Sequence, residues 1–260
     1  MDSLKVTDLS FSYGNESKVI DNISFKIDVG SVVSILGPNG SGKTTLLKLI
    51  LGLLEPQAGI IEVFQTKLTS LSLKERAKKL AYVPQKHKAV FAYKVIDIVA
   101  MGKLPYSGVF CTTSQKDYIE AAEMLDKMNL RHLSERPYNE ISGGEQQLVM
   151  ICRALLQRAE ILILDEPVTG LDYGNQLMLL KKLKELSQTG ITCIMTTHYP
   201  EHALWTSDHS IFLKKGKIVA GGKTDNIITG EMLYKLYNVN IKIIKTSINE
   251  SNISTCVPVI

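Results

Sequence analysis

Gly37-Pro38-Asn39-Gly40-Ser41-Gly42-Lys43-Thr44-Thr45 places two glycines around four residues and follows them with Lys and Thr, the pattern of a loop that cradles phosphate. Glycines let the backbone close around an anion without Cβ clashes, so successive N–H groups and a helix N-terminus can point at a β-phosphate. In such a loop Lys43 reaches the β- and γ-phosphates and the Thr44 hydroxyl is placed to ligate Mg²⁺. The bland alternative is a glycine-rich turn between two elements. The flanks weigh against it: Ser31 to Leu36 is a short β-branched run that reads as a central strand. Thr45 to Leu54 is apolar on most faces and reads as a buried helix stopped before Pro56.

Other polar groups stand at the ends of apolar runs. Ile161-Leu162-Ile163-Leu164 leads into Asp165-Glu166, and adjacent carboxylates at a strand's carboxyl end are costly unless a cation or water chemistry uses them. Leu80 to Val83, closed by Pro84, delivers Gln85, whose amide can contact Mg²⁺ and an attacking water; taken alone it is an ordinary loop glutamine. Ile191 to Thr196 leads through Thr197 to His198, repeating that placement. Ser142-Gly143-Gly144-Glu145-Gln146-Gln147 opens an amphipathic helix through Leu156. Ser142 is a good N-cap and the glycines leave N–H groups accessible to an anion, although the same residues also suit a plain capped start. Tyr13 ends the first strand, where it could stack on an adenine; a half-buried strand-end tyrosine is the commoner fate.

These residues need a scaffold, and the periodicity supplies one. Leu4 to Ser12 and Ile23 to Val29 alternate as strands, the second with Ile23, Phe25, Ile27 and Val29 on one side, and Gly14 to Ser17 is turn chemistry. They predict an antiparallel β-layer ahead of the nucleotide core. Gly59 to Phe64 reads as a further strand and Ser72 to Lys79 as a charged helix. From Lys86 to Asn139 no strand alternation occurs. Val95 to Met101, a loop with Gly102, Pro105, Tyr106 and Gly108, and a helix with Tyr118, Ala121, Ala122, Leu125 and Met128 predict an inserted helical subdomain. Within it Val90, Phe91, Tyr93 and Val95 either face a partner or pack in the core. Asn175 to Ser187 is a helix with Leu179, Leu180, Leu183 and Leu186 on its apolar face, and Ser210 to Gly222 a hairpin turning at Lys215-Gly216. Asn240 to Ile260 carries no readable pattern.

Composition excludes more than it assigns. A chain of 260 residues with 45% hydrophobic content suits one large domain, or one domain with an insertion, and is not disordered. A net charge of +4 without a long basic run does not call for a nucleic-acid partner. Cys111, Cys152, Cys193 and Cys256 form no CxxC pair, so they read as ordinary thiols in a reducing compartment. Met1 to Lys5 leads straight into a strand-like segment, unlike a secretory signal, and no uncharged apolar run reaches the ~18 residues a bilayer span needs.

Taken together these motifs resemble the ATP-binding-cassette ATPases, the nucleotide-binding subunits of transporters, from Leu4 to about Asn238. The resemblance rests on the aromatic Tyr13, the Walker A loop Gly37 to Thr45, the Gln85 loop and the signature Ser142-Gly143-Gly144-Glu145-Gln146. It continues through the Walker B run ending in Asp165, Glu166 beside it, the D-loop Gly170-Leu171-Asp172 and the switch His198. It implies an α/β fold: a phosphate-loop NTPase core with a mixed sheet, an antiparallel β-layer and an inserted helical subdomain. Residues 1–240 would be a single ATPase domain, 86–140 its insertion, and 241–260 an extension. It also implies that Tyr13 is an adenine platform and that Gly37, Pro38, Asn39, Gly40, Ser41, Gly42, Lys43, Thr44 and Thr45 bind ATP. Ser142, Gly143 and Gly144 would contact the ATP of a second copy in a nucleotide-sandwich dimer. Thr44, Gln85 and Asp165 would serve Mg²⁺, with Glu166 as general base, Gln85 beside the water and His198 on the γ-phosphate. Ile141 stands where the family usually has Leu, and Val168-Thr169-Gly170 where Thr-Ser-Ala is usual. Gly170 is expected to loosen a loop that touches the other copy.

Within that family, Met101 to Gly108 and Asp172-Tyr173-Gly174-Asn175-Gln176 look most like importers of iron chelates, cobalamin or molybdate-type species. The expectation is a peripheral subunit on the cytoplasmic face of the membrane, docked through Lys86 to Gly108 on separate permease subunits and served by a substrate-binding protein. The alternatives are a soluble cassette ATPase acting on ribosomes or DNA, or an exporter subunit. A soluble cassette acting on ribosomes or DNA usually has two cassettes or a long coiled insertion, neither present here. A binding module without turnover commonly lacks the acid at Glu166.

Overall fold

Alternating apolar residues drive the first strands into an antiparallel layer, as the computed structural model shows; it describes residues 1–14, 17–85, 92–107, 113–248 and 251–259. β1 (Asp2–Phe11) pairs antiparallel with β2 (Ile20–Asp28), burying Leu4, Val6 and Leu9 against Ile20, Ile23 and Ile27. Val29, expected on that inner face, is exposed, because β2 stops at Asp28 and the chain turns over Val29 into Gly30 at φ +69°.

β3 (Val32–Leu36) is buried at every residue, as its unbroken apolar run requires. α1 (Lys43–Ile50) follows, shorter than the span to Leu54 that its composition suggests. Gly52 takes a left-handed φ of +67° and donates to the Leu49 carbonyl at 3.0 Å, which closes the helix early and leaves Leu53 exposed. β4 (Ala58–Val63) pairs with β1 and with the short β5 (Thr66–Lys67), completing the layer in the order β2-β1-β4-β5.

α2 (Leu73–Lys79) starts at a Ser72–Glu75 capping box and runs into β6 (Leu80–Val83). α3 (Val95–Ala100) continues as a 3₁₀ turn over Met101–Tyr106, and α4 (Gln115–Lys127) has its own box, Ser114 with Asp117. α5 (Gly143–Leu156) packs with α3 and α4, and β7 (Ile161–Leu164) lies parallel to β6. Val95 is fully buried in this layer while Tyr93 is exposed; Val90 and Phe91 lie outside the described residues.

α6 (Tyr173–Gln188) leads to β8 (Thr192–Thr197), α7 (Pro200–Thr206) and the hairpin β9 (His209–Lys214) and β10 (Lys217–Lys223), which turns where the sequence places it. α8 (Thr224–Ile227) and α9 (Gly230–Tyr237) precede a second hairpin, β11 (Ile241–Ile248) and β12 (Ser251–Pro258), in the stretch that sequence alone leaves unreadable. Its Ile241 and Ile243 pack on a buried cluster that includes Leu233, Leu236 and Cys256.

Two compact units result, Met1–Ser70 with Leu180–Ile260, and Leu71–Leu179. The first holds the antiparallel layer, the C-terminal hairpin and a mixed sheet in which β3 lies parallel between β8 and β9 while β10 is antiparallel to β9. The second holds the parallel pair β6 and β7 under its helices. The mixed sheet, the antiparallel layer and the helical insertion are thus all present. Among the described residues no helix is long and apolar enough to cross a membrane.

Candidate active site

In the first unit the phosphate loop leaves β3 and feeds α1. The N-cap of α1 is Gly42, in a left-handed φ of +105°; it offers no side-chain cap, and no acid stands in the first turn. That leaves a helix start whose N–H dipoles favour an anion. Gly37 admits no side chain, since a Cβ there would press on the Leu213 carbonyl and lie 2.6 Å from Ser41 Oγ. Lys43 is buried, and its Nζ donates to the Gly37 carbonyl at 2.7 Å and the Pro38 carbonyl at 3.3 Å, while Thr44 is exposed. Ser41 Oγ is buried without a partner, which a bound phosphate oxygen would satisfy. Tyr13, two residues past the end of β1, is 43% exposed; Phe11 supports its ring edge-on at 4.9 Å and its hydroxyl lies 3.3 Å from Thr45 Oγ1. An exposed, braced ring can receive a base.

His198 belongs to the same unit. Leu36 of β3 stands opposite Thr197 of β8, so the loop and the histidine leave the carboxyl ends of neighbouring parallel strands.

The second unit repeats this arrangement. Val83 of β6 faces Leu164 of β7, and the Asp165 N–H donates to the Val83 carbonyl at 2.9 Å. Asp165 is 2% exposed and Glu166 8%. The Glu166 Oε2 accepts from Gln85 Nε2 at 2.6 Å and from Thr169 Oγ1 at 3.4 Å, so Gln85 and the acid that the sequence places far from it are brought together. Burial, with the Asp165 charge adding to it, pushes the Tyr82 phenol up to about 12, so this tyrosine stays neutral beside the acid.

Ser142 caps α5 and Glu145 closes the reciprocal half of the box: Ser142 N–H donates to Glu145 Oε2 at 2.7 Å and Glu145 N–H to Ser142 Oγ at 3.3 Å. These bonds hold the Glu145 carboxyl below its ordinary value. The Ser-x-x-Glu spacing was the available signal for this box. The glycines between face a cleft of about 770 Å³ that Gln85, Thr169, Gly170 and Asp172 also line. Gln147 lines it too, and its Nε2 is buried without a partner. Gly170 takes φ +82°, a conformation that side chains strain to adopt, and the turn is held by Leu171 N–H on the Val168 carbonyl at 3.2 Å. Gly170 thus occupies a left-handed turn that glycine adopts without strain. Its carbonyl sits against the signature helix, 3.2 Å from where a Cβ on Gly144 would lie. Asp172 caps the start of α6 through the Asn175 N–H at 2.9 Å. Ile141 and Val168 are buried apolar residues, consistent with conservative replacements.

Thr44, Gln85 and Asp165 offer a hydroxyl, an amide oxygen and one carboxylate. Each is an oxygen donor of the kind that Mg²⁺ takes alongside substrate phosphates. Among the described residues no trio of His, Cys, Asp or Glu forms a separate metal cluster.

The chain matches the ABC transporter family over residues 20–169. It is 35% identical to the molybdate import ATP-binding protein MolC of Haemophilus influenzae, over 91% of this chain and 88% of that protein. A transporter classed as metal-chelate type, solved in an inward-facing conformation, superposes with a TM-score of 0.87 at 33% identity, covering 100% of this chain and 98% of its own. A dimeric ATP-binding cassette solved after hydrolysis with ADP and Pi bound superposes with a TM-score of 0.76 at 28% identity, covering 85% of this chain and 98% of its own.

Proposed function

This chain is an ATPase of the ABC transporter family, and on that premise we propose that it works as a nucleotide-sandwich dimer driving a membrane importer for a metal chelate or metal oxyanion. Cassettes of the family dimerise and work with permease subunits. The observation that carries the hydrolytic reading is the buried Glu166 carboxylate gripped by the Gln85 amide next to Asp165.

Tyr13 receives the adenine, and Gly37 to Thr45 with the N-terminus of α1 hold the phosphates. Lys43, now bonded to loop carbonyls, turns its charge to the β- and γ-phosphates, and His198 meets the γ-phosphate from the adjacent strand end. Thr44, Asp165 and Gln85 would hold Mg²⁺, which would offset phosphate charge. Glu166 accepts the proton of the attacking water as its oxygen bonds to the γ-phosphorus and the bond to the β-phosphate oxygen breaks; Gln85 keeps that carboxylate aimed. Ser142, Gly143 and Gly144 take the γ-phosphate of the partner copy's ATP.

On this reading residues 1–240 are one ATPase domain with 86–140 as its insertion, peripheral at the cytoplasmic face of the membrane. Lys86 to Gly108 meets the permease; among its described residues Tyr93, Leu104 and Tyr106 expose apolar surface. A substrate-binding protein would deliver the cargo. The molybdate importer subunit and the metal-chelate transporter are the relatives that support this cargo class. A strain lacking the chain should lose uptake of one labelled species among iron chelates, cobalamin and molybdate. Normal uptake of all three would refute the cargo while leaving the ATPase intact.

A further inference from the structure

His198 stands at the head of a row of rings. Its centroid lies 4.0 Å from that of Tyr199, Tyr199 lies 4.9 Å from His202, and His202 lies 5.8 Å from Trp205, with interplanar angles of 40°, 51° and 50°. His202 and Trp205 are three residues apart on one face of α7, and Tyr199 is its extended N-cap residue ahead of Pro200. The Tyr199 N–H donates to Thr197 Oγ1 at 3.1 Å, which fixes the chain between β8 and α7.

The far end of the row is anchored in the C-terminal hairpin. The Trp205 indole N–H donates to the Ser254 carbonyl of β12 at 3.1 Å, α7 packs on β12, and Ala203 of α7 shares a buried cluster with Cys256. His202 is buried with no partner on Nδ1; burial, with His198 adding to it, lowers its pKa to about 4. It is therefore an uncharged ring at neutral pH, suited to stacking.

We propose that Tyr199, His202 and Trp205 are positioning residues that tie the switch histidine His198 to the hairpin β11–β12, so that His198 moving onto nucleotide moves Trp205 as well. This rests on reading His198 as the γ-phosphate contact. The hairpin then holds the outer end of the row, and the imidazole meets nucleotide from a braced position. Tyr199 supports this because its ring is 45% exposed, more than a residue kept only for core packing would be.

Trp205 is the chain's single tryptophan, so its emission reads the row without a label. In the full-length Glu166→Gln protein, saturating Mg-ATP should change that emission, with nucleotide occupancy measured separately by equilibrium dialysis. Adding Tyr199→Ala should abolish the change at equal occupancy, and Tyr199→Phe should restore it. In the otherwise unaltered chain, Tyr199→Ala should lower kcat about two- to tenfold with KM for ATP and Tm unchanged, the size expected for one lost ring contact. An emission change that survives Tyr199→Ala at full occupancy overturns the proposal, and so does an emission that stays fixed while ATP is bound. Failure of ATP to bind at all overturns the nucleotide reading itself and the proposal with it.

Discussion

Glu166→Gln and Lys43→Ala should separate turnover from binding. Glutamine keeps the shape of Glu166 and one acceptor oxygen, so the bond from Gln85 Nε2, now 2.6 Å, survives without its charge. A bond to an ion is worth about 1.5–3 kcal/mol and a neutral one about 0.5–1.5, so the exchange weakens this contact by about 1 kcal/mol. Relief of a buried carboxylate works in the opposite sense, and folding should change little. The proposed proton acceptor is nonetheless gone, which should lower kcat by about 10²–10⁴-fold. Lys43→Ala should act on the ground state: its ammonium, held at 2.7 Å from the Gly37 carbonyl, is on the proposed mechanism the charge that meets phosphate. Losing a charged bond of about 1.5–3 kcal/mol weakens ATP about ten- to 150-fold. Calorimetric titration with ATP and a phosphate-release assay read the two quantities independently. Equal loss of affinity in both variants, or a Glu166→Gln protein that still turns over, would refute the division of roles.

The Glu166→Gln protein with ATP should also shift toward dimer in sedimentation, because trapped nucleotide contacts both copies; a chain that stays monomeric at high concentration with ATP bound counts against the sandwich. Gly37→Ala should lower Tm by several degrees, since its Cβ meets the Leu213 carbonyl and over-packing costs about 1–3 kcal/mol; an unchanged Tm means the loop yields. His202 has an ordinary value of 6.5 and about 4 in the fold, so on acidification the unfolded chain takes the proton first. Stability should therefore fall between pH 6.5 and 4, by about 1–2 kcal/mol after solvent screening, and His202→Phe should flatten urea midpoints across that window. A slope unchanged in that variant assigns the acid sensitivity elsewhere.

The legible parts of the chain are those whose signal is local. β3, the phosphate loop and β7 with its two acids follow from short apolar runs ending in chemistry-bearing residues, and each element lies where those runs place it. What escapes is decided by one backbone angle or by distant pairing. The early stop of α1 depends on Gly52 turning left-handed, and the exposure of Val29 on a turn the alternation continues through. The second hairpin hides because only part of each strand is covered: Ile241 and Ile243 meet the core, while Lys242, Ile244 and Lys245 face solvent and blur the pattern. The bond between Gln85 and Glu166 spans 81 residues and exists only in the parallel register of β6 on β7.

That register also explains how two adjacent acids can do different work. Asp165 continues the strand, its N–H bonded to Val83, and is almost wholly buried. Glu166 leaves the strand at φ +47°, a left-handed conformation that costs a side chain roughly 1–2 kcal/mol. Glycine would adopt that angle at less cost but would bring no carboxylate. The strain is held by neighbours on both sides: Thr169 N–H donates to the Glu166 carbonyl at 3.1 Å, and Gln85 and Thr169 both donate to its Oε2. Straining one residue thus turns Glu166 out of line with Asp165 and into the reach of Gln85. On the proposed mechanism that separation leaves one acid for the cation and the other for water, which two extended neighbours followed by a relaxed turn would not fix.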